Sequence, residues 1–357
     1  MNIESLDPKA FAPTTREDWL KLVNRALKGA DFQETLVSHT DDGIAIEPLY
    51  GRRPDAQPLP NSRGAAPWTI AQRMDDPDTR RALAQLGDDL ANGATGICLV
   101  SKTSPSAFGT GIDTDGFAHK LAGAISGKAI SLRLDGCSPH FVETFVAALD
   151  EPSKPSALHL GLSAFAGKPD DLADAFLRLQ GAGFAGTILN ADGRAVHSAG
   201  GTEAQELAVM AATLAGHLRM MERAGVAPDR VLDATSLCLA ADQNQFVTMA
   251  KARAARLIFT RIAEVCGISN APAAHLFMET SYRMLTKLDP ETNILRNTVA
   301  VFAAGTGGAD EISVLPHTLT HGIPDPLARR LARNTQTILL AESHLDHVTD
   351  PAAGAGG

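Results

Sequence analysis

"SYRMLTKLDPETNILRNTVAVFAAGTGGADEISVLPHTLTHGIPDPLARRLAR", residues 281–333, reads as loop, helix, turn, strand and helix. Asp289-Pro290 suits a helix start, because the first turn of a helix has no use for the N–H that proline lacks. Ile294, Leu295, Thr298, Val299, Phe302 and Ala303 recur at helical spacing and give that helix one apolar face. Gly305, Gly307 and Gly308 stop it. "EISVLP" (311–316) is short, rich in β-branched residues and flanked by turn signals, which predicts a buried strand. Helix followed by strand, repeated, builds a parallel sheet with helices outside it.

Working outward, the same alternation fills most of the chain. Strand-like runs stand at 96–100, 129–134, 157–163, 186–190, 230–237, 274–281, 311–316 and 347–352. Helical patterns separate them, among them residues 170–183, 202–225, 244–267 and 325–344. Eight strand–helix units are what a closed (β/α)8 TIM barrel needs. An open doubly wound sheet is the alternative, but no G-x-G-x-x-G follows an early strand.

Residues 1–66 read as an N-terminal arm and linker, and 67–357 as the barrel. The arm predicts a helix from Arg16 to Leu27, with Trp19, Leu22, Val23 and Ala26 on one face and a Thr15/Asp18 capping signal. A hairpin is expected around Asp41-Asp42-Gly43. So small an arm carrying its own apolar stripe needs another surface, which makes it a dimerisation element. A second helix starts at Asp78 and turns Leu83, Leu86 and Leu90 inward.

Composition excludes several classes. The formal charge of −9 argues against a nucleic-acid or anionic-membrane surface. No apolar run approaches the roughly 20 residues that span a bilayer. The N-terminus has no secretory pattern. Four cysteines, Cys98, Cys137, Cys238 and Cys266, lack C-x-x-C spacing and read as reduced thiols of a cytoplasmic protein.

From Trp19 to Gly354 the chain resembles the methylmalonyl-CoA mutase family. The matching features include Leu27-Lys28-Gly29, Asp42-Gly43-Ile44 and Pro48-Leu49-Tyr50 in the arm. In the barrel they are Thr280-Ser281, Asp289-Pro290 with Asn293, Arg296 and Thr298, Gly307-Gly308, and Ala332 to Ser343. "ADEISVLPHT" and "GIPDPLARR" are closer to the small, beta-type, non-catalytic subunit than to the large one. The resemblance implies a barrel without the cobalamin-binding domain, in a complex that interconverts methylmalonyl-CoA and succinyl-CoA. Adenosylcobalamin is then expected in a catalytic large subunit, and none is expected to bind this chain. It also implies a heterodimer with that subunit, or a homodimer in isolation, and further chain beyond the "DPAAG" at 350–354.

The site positions depart from the catalytic pattern. Where catalytic relatives read "WTIRQY", this chain reads "WTIAQR", with Ala71 and Arg73. Arginine is long and permanently charged, and cannot stand in for a neutral tyrosine wall. Gly161 stands near the family's strand-end glutamine. His197 stands where a family histidine polarises a thioester; a hydrogen-bonded structural histidine at a strand end is the simpler reading. Glu279 at a strand end is a candidate general base or a salt-bridged structural carboxylate. Asp233 is expected to end a strand and Asp242 to begin a helix. "GTGID" (109–113) and "GTGGAD" (305–310) read as plain turns. Arg73, Gly161, His197 and Glu279 are therefore the candidate substrate contacts, and His197 the one candidate catalytic group. The alternative to a supporting subunit is a stand-alone TIM-barrel enzyme or acyl-CoA-binding protein built on those strand ends.

Overall fold

The computed structural model describes residues 14–51, 55–59, 63–149, 157–163 and 169–355. They divide into two compact units, one within residues 1–52 and one within residues 53–355.

In the first unit, α1 (Arg16–Leu27) opens with a complete capping box: the Thr15 side chain accepts from the Asp18 N–H and Asp18 reaches back to the Thr15 N–H. Lys28 ends it in the left-handed region at φ 51°. α2 (Phe32–Leu36) follows, and Trp19 meets Phe32 edge to face at 6.2 Å. β1 (Ser38–His39) and β2 (Ala45–Ile46) form the expected antiparallel hairpin. None of the residues in α1 is buried, and Leu22, Ile44, Leu49 and Tyr50 are exposed.

The second unit is the barrel. In chain order it runs β3 (Thr69–Met74), α3 (Thr79–Ala91), β4 (Gly96–Val100), α4 (Ala118–Ile125), β5 (Ser131–Asp135), α5 (Pro139–Ala147), β6 (Ala157–Leu162) and α6 (Pro169–Gly181). It continues with β7 (Thr187–Asp192), α7 (Arg194–Ser198), α8 (Glu203–Arg223), α9 (Pro228–Asp233), β8 (Thr235–Ala241) and α10 (Gln245–Val265). It ends with β9 (His275–Thr280), α11 (Thr292–Thr306), β10 (Glu311–Ser313) and α12 (Pro326–Ala341). Eight parallel strands close in the order β10-β3-β4-β5-β6-β7-β8-β9. Ile312 of β10 pairs with Ile70 of β3 to shut the ring.

Four expectations are corrected. Residues 347–352 are turn, not strand; the ring is closed instead by β3, whose buried Gln72 and Arg73 interrupt the apolar run a sequence reader looks for. Residues 230–237 are not one strand. Pro228 at the first turn starts α9, and the strand begins only at Thr235, so Asp233 ends a helix. α11 begins at Thr292, two residues beyond Pro290. The cap of α10 is Asn244, whose side chain accepts from the Val247 N–H, while Asp242 accepts from the Asn244 N–H and the Thr248 hydroxyl.

Two apolar layers lie between strands and helices, and a third small cluster fills the ring: Ala71, Cys98, Val100, Ala107, Cys238 and Phe277. Cys98, Cys137 and Cys238 are buried free thiols and Cys266 is exposed. Among the described residues no helix is long and apolar enough to cross a membrane.

Candidate functional site

A barrel carries its chemistry at the C-terminal ends of its strands. Alternate residues of each strand point into the ring, so a charged residue at an inward position must find a partner there. Here the inward positions hold arginines. Arg133 of β5 crosses the interior: its Nε donates to Glu311 Oε2 at 3.2 Å and its Nη1 to Ser236 Oγ at 3.3 Å. Its guanidinium lies 4.3 Å from the centre of the Phe277 ring. Arg194, at the start of α7, lies 5.2 Å from the same ring.

Above them sits a closed ionic network. Arg73 of β3 donates to Asp75 at 3.0 Å, to Glu279 Oε1 at 2.7 Å and to the Ser106 carbonyl at 2.8 Å. Arg194 donates to Glu279 Oε2 at 3.2 Å, to Asp135 at 2.8 Å and to Asp192 at 2.6 Å. Arg329 of α12 donates to the other oxygen of Asp75 at 2.8 Å. The Arg73, Asp75, Arg194, Asp135 and Glu279 side chains are at most 6% exposed. Burial opposes the charges of Arg73 and Asp75, and their partners outweigh it. Glu279 and Asp75 hold the Arg73 guanidinium above its ordinary range, and Arg73 and Arg329 hold the Asp75 carboxyl below its own.

Beside this network stands His197. It lies on α7 rather than at a strand end: Gly193 is the N-cap of that short helix, and Asp192 before it accepts from the Arg194 N–H. His197 Nε2 is 2.7 Å from Ser281 Oγ, and Nδ1 is 3.5 Å from Glu206 Oε2. Lys251 Nζ donates to the same Glu206 oxygen at 2.6 Å, and the Ala240 N–H to the other oxygen at 2.6 Å. Burial pushes the Glu206 carboxyl up, but His197 and Lys251 outweigh it and hold it below the usual carboxylate range. His197, Glu206 and Lys251 have no exposed side-chain surface.

Of the four predicted contacts, Arg73 and Glu279 are brought into direct contact. His197 is adjacent through Ser281, whose neighbour Thr280 ends the strand that carries Glu279. Gly161 is elsewhere. It adopts φ 66°, and a Cβ there would lie 2.0 Å from the Leu134 carbonyl oxygen, so it is the close approach of β6 to β5 that requires glycine. Sequence reading missed Arg133, Arg194, Asp135 and Glu206. The available signal was a charged residue at an alternate position of an otherwise apolar run, as in "SLRL" (131–134).

The described surface has clefts between α3 and α12, around Trp68 near the first strands, and between α6 and α8. None of the three is lined by Arg73, Arg194, His197 or Glu279. At the opposite end of the ring, His159, His275 and Glu311 form the group of side chains with the spacing of metal ligands.

The family model for methylmalonyl-CoA mutase matches residues 187–355, and so takes in β7 to α12 with His197, Glu279 and Ser281. The methylmalonyl-CoA mutase small subunit of Streptomyces virginiae is 35% identical over 97% of this chain. The chain belongs to the methylmalonyl-CoA mutase family. The small subunit of Propionibacterium freudenreichii subsp. shermanii is 30% identical over 97% of the chain, and the mitochondrial mutase of Bos taurus 25% over 95%. The chain spans about 60% of the length of the two small subunits and about half that of the mitochondrial enzyme.

The cobalamin that this family implies does not fit the residues present. None of the 11 histidines stands in a D-x-H-x-x-G sequence. His197, beside the C-terminal strand ends, is sealed against Ser281 and Glu206 and has no exposed surface with which to reach a corrin.

Proposed function

We propose that this chain is the barrel of a supporting, non-catalytic subunit in an adenosylcobalamin-dependent acyl-CoA mutase that interconverts methylmalonyl-CoA and succinyl-CoA. The carrying observation is the filled ring. Phe277, Arg133, Arg194 and Arg73 occupy the interior, and the charges are matched by Glu311, Glu279, Asp135 and Asp75. A thioester entering along the axis would have to strip these pairs, and an ion left buried without its partner costs about 3–5 kcal/mol. Chemistry and cofactor then belong to a large catalytic subunit.

The N-terminal unit supports a heterodimer. Leu22, Ile44, Leu49 and Tyr50 are each more than 40% exposed, which suits a surface that a partner covers. A cytoplasmic setting agrees with Cys98 and Cys238 standing as unoxidised thiols inside the ring.

A second reading rests on Ser281, His197 and Glu206, which stand in the order of nucleophile, base and acid. It would make the chain an enzyme in its own right. All three side chains are sealed, Ser281 at 2% exposure, which favours a structural hydrogen-bond relay.

One experiment separates the two. The chain is purified alone and together with a catalytic mutase chain, and both are assayed for isomerisation of methylmalonyl-CoA with adenosylcobalamin. The expected result is a stable heterodimer that turns over and a lone chain that does not. Turnover, or thioester hydrolysis, by the lone chain would overthrow the supporting role.

A further inference from the structure

The N-terminal mouth of the barrel is built differently from the other end. His159 of β6 and His275 of β9 stack face to face, with ring centres 3.9 Å apart and planes at 20°. Glu311 of β10 lies beside them, with His275 Nε2 3.2 Å from its Oε2. Ligand atoms of all three lie within 4.8 Å of one another. Two buried atoms of this group have no hydrogen-bond partner: His159 Nε2 and Glu311 Oε1. A buried polar atom without a partner costs about 1–3 kcal/mol, so leaving two in one cluster asks for an explanation.

We propose that His159, His275 and Glu311 form a Zn2+ site at the N-terminal mouth of the barrel. Two imidazoles and one carboxylate are a donor set that zinc accepts, with water in the fourth position. His159 is prepared for the role: its Nδ1 is 2.8 Å from Thr187 Oγ1. With Thr187 accepting, the Nε2 lone pair is left for the ion, and such a second hydrogen bond fixes the tautomer of a metal-binding histidine. The His275 side chain is 23% exposed, which gives the fourth position access to water and lets that ring move.

Movement is required. In a tetrahedral zinc site the ligand atoms stand about 3.3 Å apart, given Zn–N near 2.0 Å, so the cluster contracts and His275 turns its lone pair out of the stack. Arg133, 3.2 Å from Glu311, opposes the ion by its charge. The ion would staple β6 to the neighbouring pair β9 and β10 across the mouth of the ring.

The test uses the full chain without a histidine tag, treated with chelator. Co2+ is titrated in as the visible probe, followed by Zn2+. One equivalent of Co2+ should produce the intense visible bands of a four-coordinate site, and Zn2+ should bleach them. His275→Ala, at a partly exposed position the fold tolerates, should weaken Co2+ binding about tenfold or more. His275→Cys should restore it and add a sulfur-to-cobalt band in the near ultraviolet. The exposed, stacked His344 and His347 pair, 4.7 Å between ring centres, is the rival metal binder. A His344→Ala/His347→Ala double variant should bind as the parent does. Absence of the bands, or their loss in that double variant with retention in His275→Ala, would overturn the site.

Discussion

The two ends of the barrel treat buried charge in opposite ways. At the C-terminal end Glu279 gives one oxygen to Arg73 and the other to Arg194, and each of these arginines has a second carboxylate. At the N-terminal end Glu311 keeps one oxygen without a partner and His159 one nitrogen. The first arrangement is saturated, and nothing further can be added without displacing an ion pair. The second retains lone pairs, which is what binding a cation requires. In a family whose chemistry is expected at the C-terminal end, this chain has closed that end with its own side chains.

The comparison breaks most directly at Glu279. Changing Glu279→Gln leaves two buried guanidiniums short of a carboxylate and should lower stability by about 3–5 kcal/mol, read as a shift in the urea midpoint at neutral pH. A loss below about 1 kcal/mol would mean the pairs at this end are not what hold it shut. Gly161→Ala comes next. A Cβ would sit 2.0 Å from the Leu134 carbonyl in a left-handed backbone, so overpacking and strain should together cost about 3 kcal/mol. Full stability in Gly161→Ala would mean that β5 and β6 have room between them, and the sealed description would fall.

How much of this was legible beforehand differs by element. α1, α8, α10 and α12 announced themselves through capping residues and helical spacing, and their bounds fall within a few residues of the reading. β4 and β9 showed as apolar runs. β3 did not, because it carries polar residues on both faces, Arg73 into the ring and Gln72 against Asp89 of α3 and Arg329 of α12, and so looks like a loop in one dimension. "HVTDPA" (347–352) reads as a strand, yet these residues bend and turn instead. Arg73 and Glu279 could each be picked out, but not as partners: they are 206 residues apart, and only closure of the ring brings them to 2.7 Å. Glu206 and Lys251 lie on helices in positions that read as solvent faces, and only the packing of α8 against α10 pairs them.

Acid offers a graded way to sharpen the contrast. His217, buried on α8, has its pKa pushed down to about 4 from 6.5 by burial. The unfolded chain therefore takes up its proton first, and the stability His217 contributes is complete above 6.5 and lost as pH falls from 6.5 towards 4, by about 3 kcal/mol at most. Glu206, Asp75 and Asp135 have folded pKa values below 4.5, 3.8 and 3.8, so their contribution is present above those values and lost as pH falls through the lower folded ones. Denaturation midpoints against pH should thus fall in two stages. His217→Phe should shrink the first, to which the buried His159 also contributes, and keep the second. A single stage below 4.5 in the parent would show that His217 carries no such penalty.

The smallest effect is expected at the N-terminal end, and its smallness is the point. His275→Gln removes an imidazole whose hydrogen bond to Glu311 Oε2 is shared with Arg133 Nε, and whose side chain already touches solvent. Glu311 keeps its guanidinium, no ion is stranded, and the metal-free chain should lose no more than about 1 kcal/mol. The same substitution at a saturated ionic end would leave a buried charge alone. If His275→Gln costs as much as Glu279→Gln in chelator-treated protein, then the stacked pair is a structural clasp of equal rank and the two ends are alike. If the cost appears only when Zn2+ is present in the parent, the difference between the ends is one of ligand capacity, because binding to the folded chain alone adds stability that the variant cannot share.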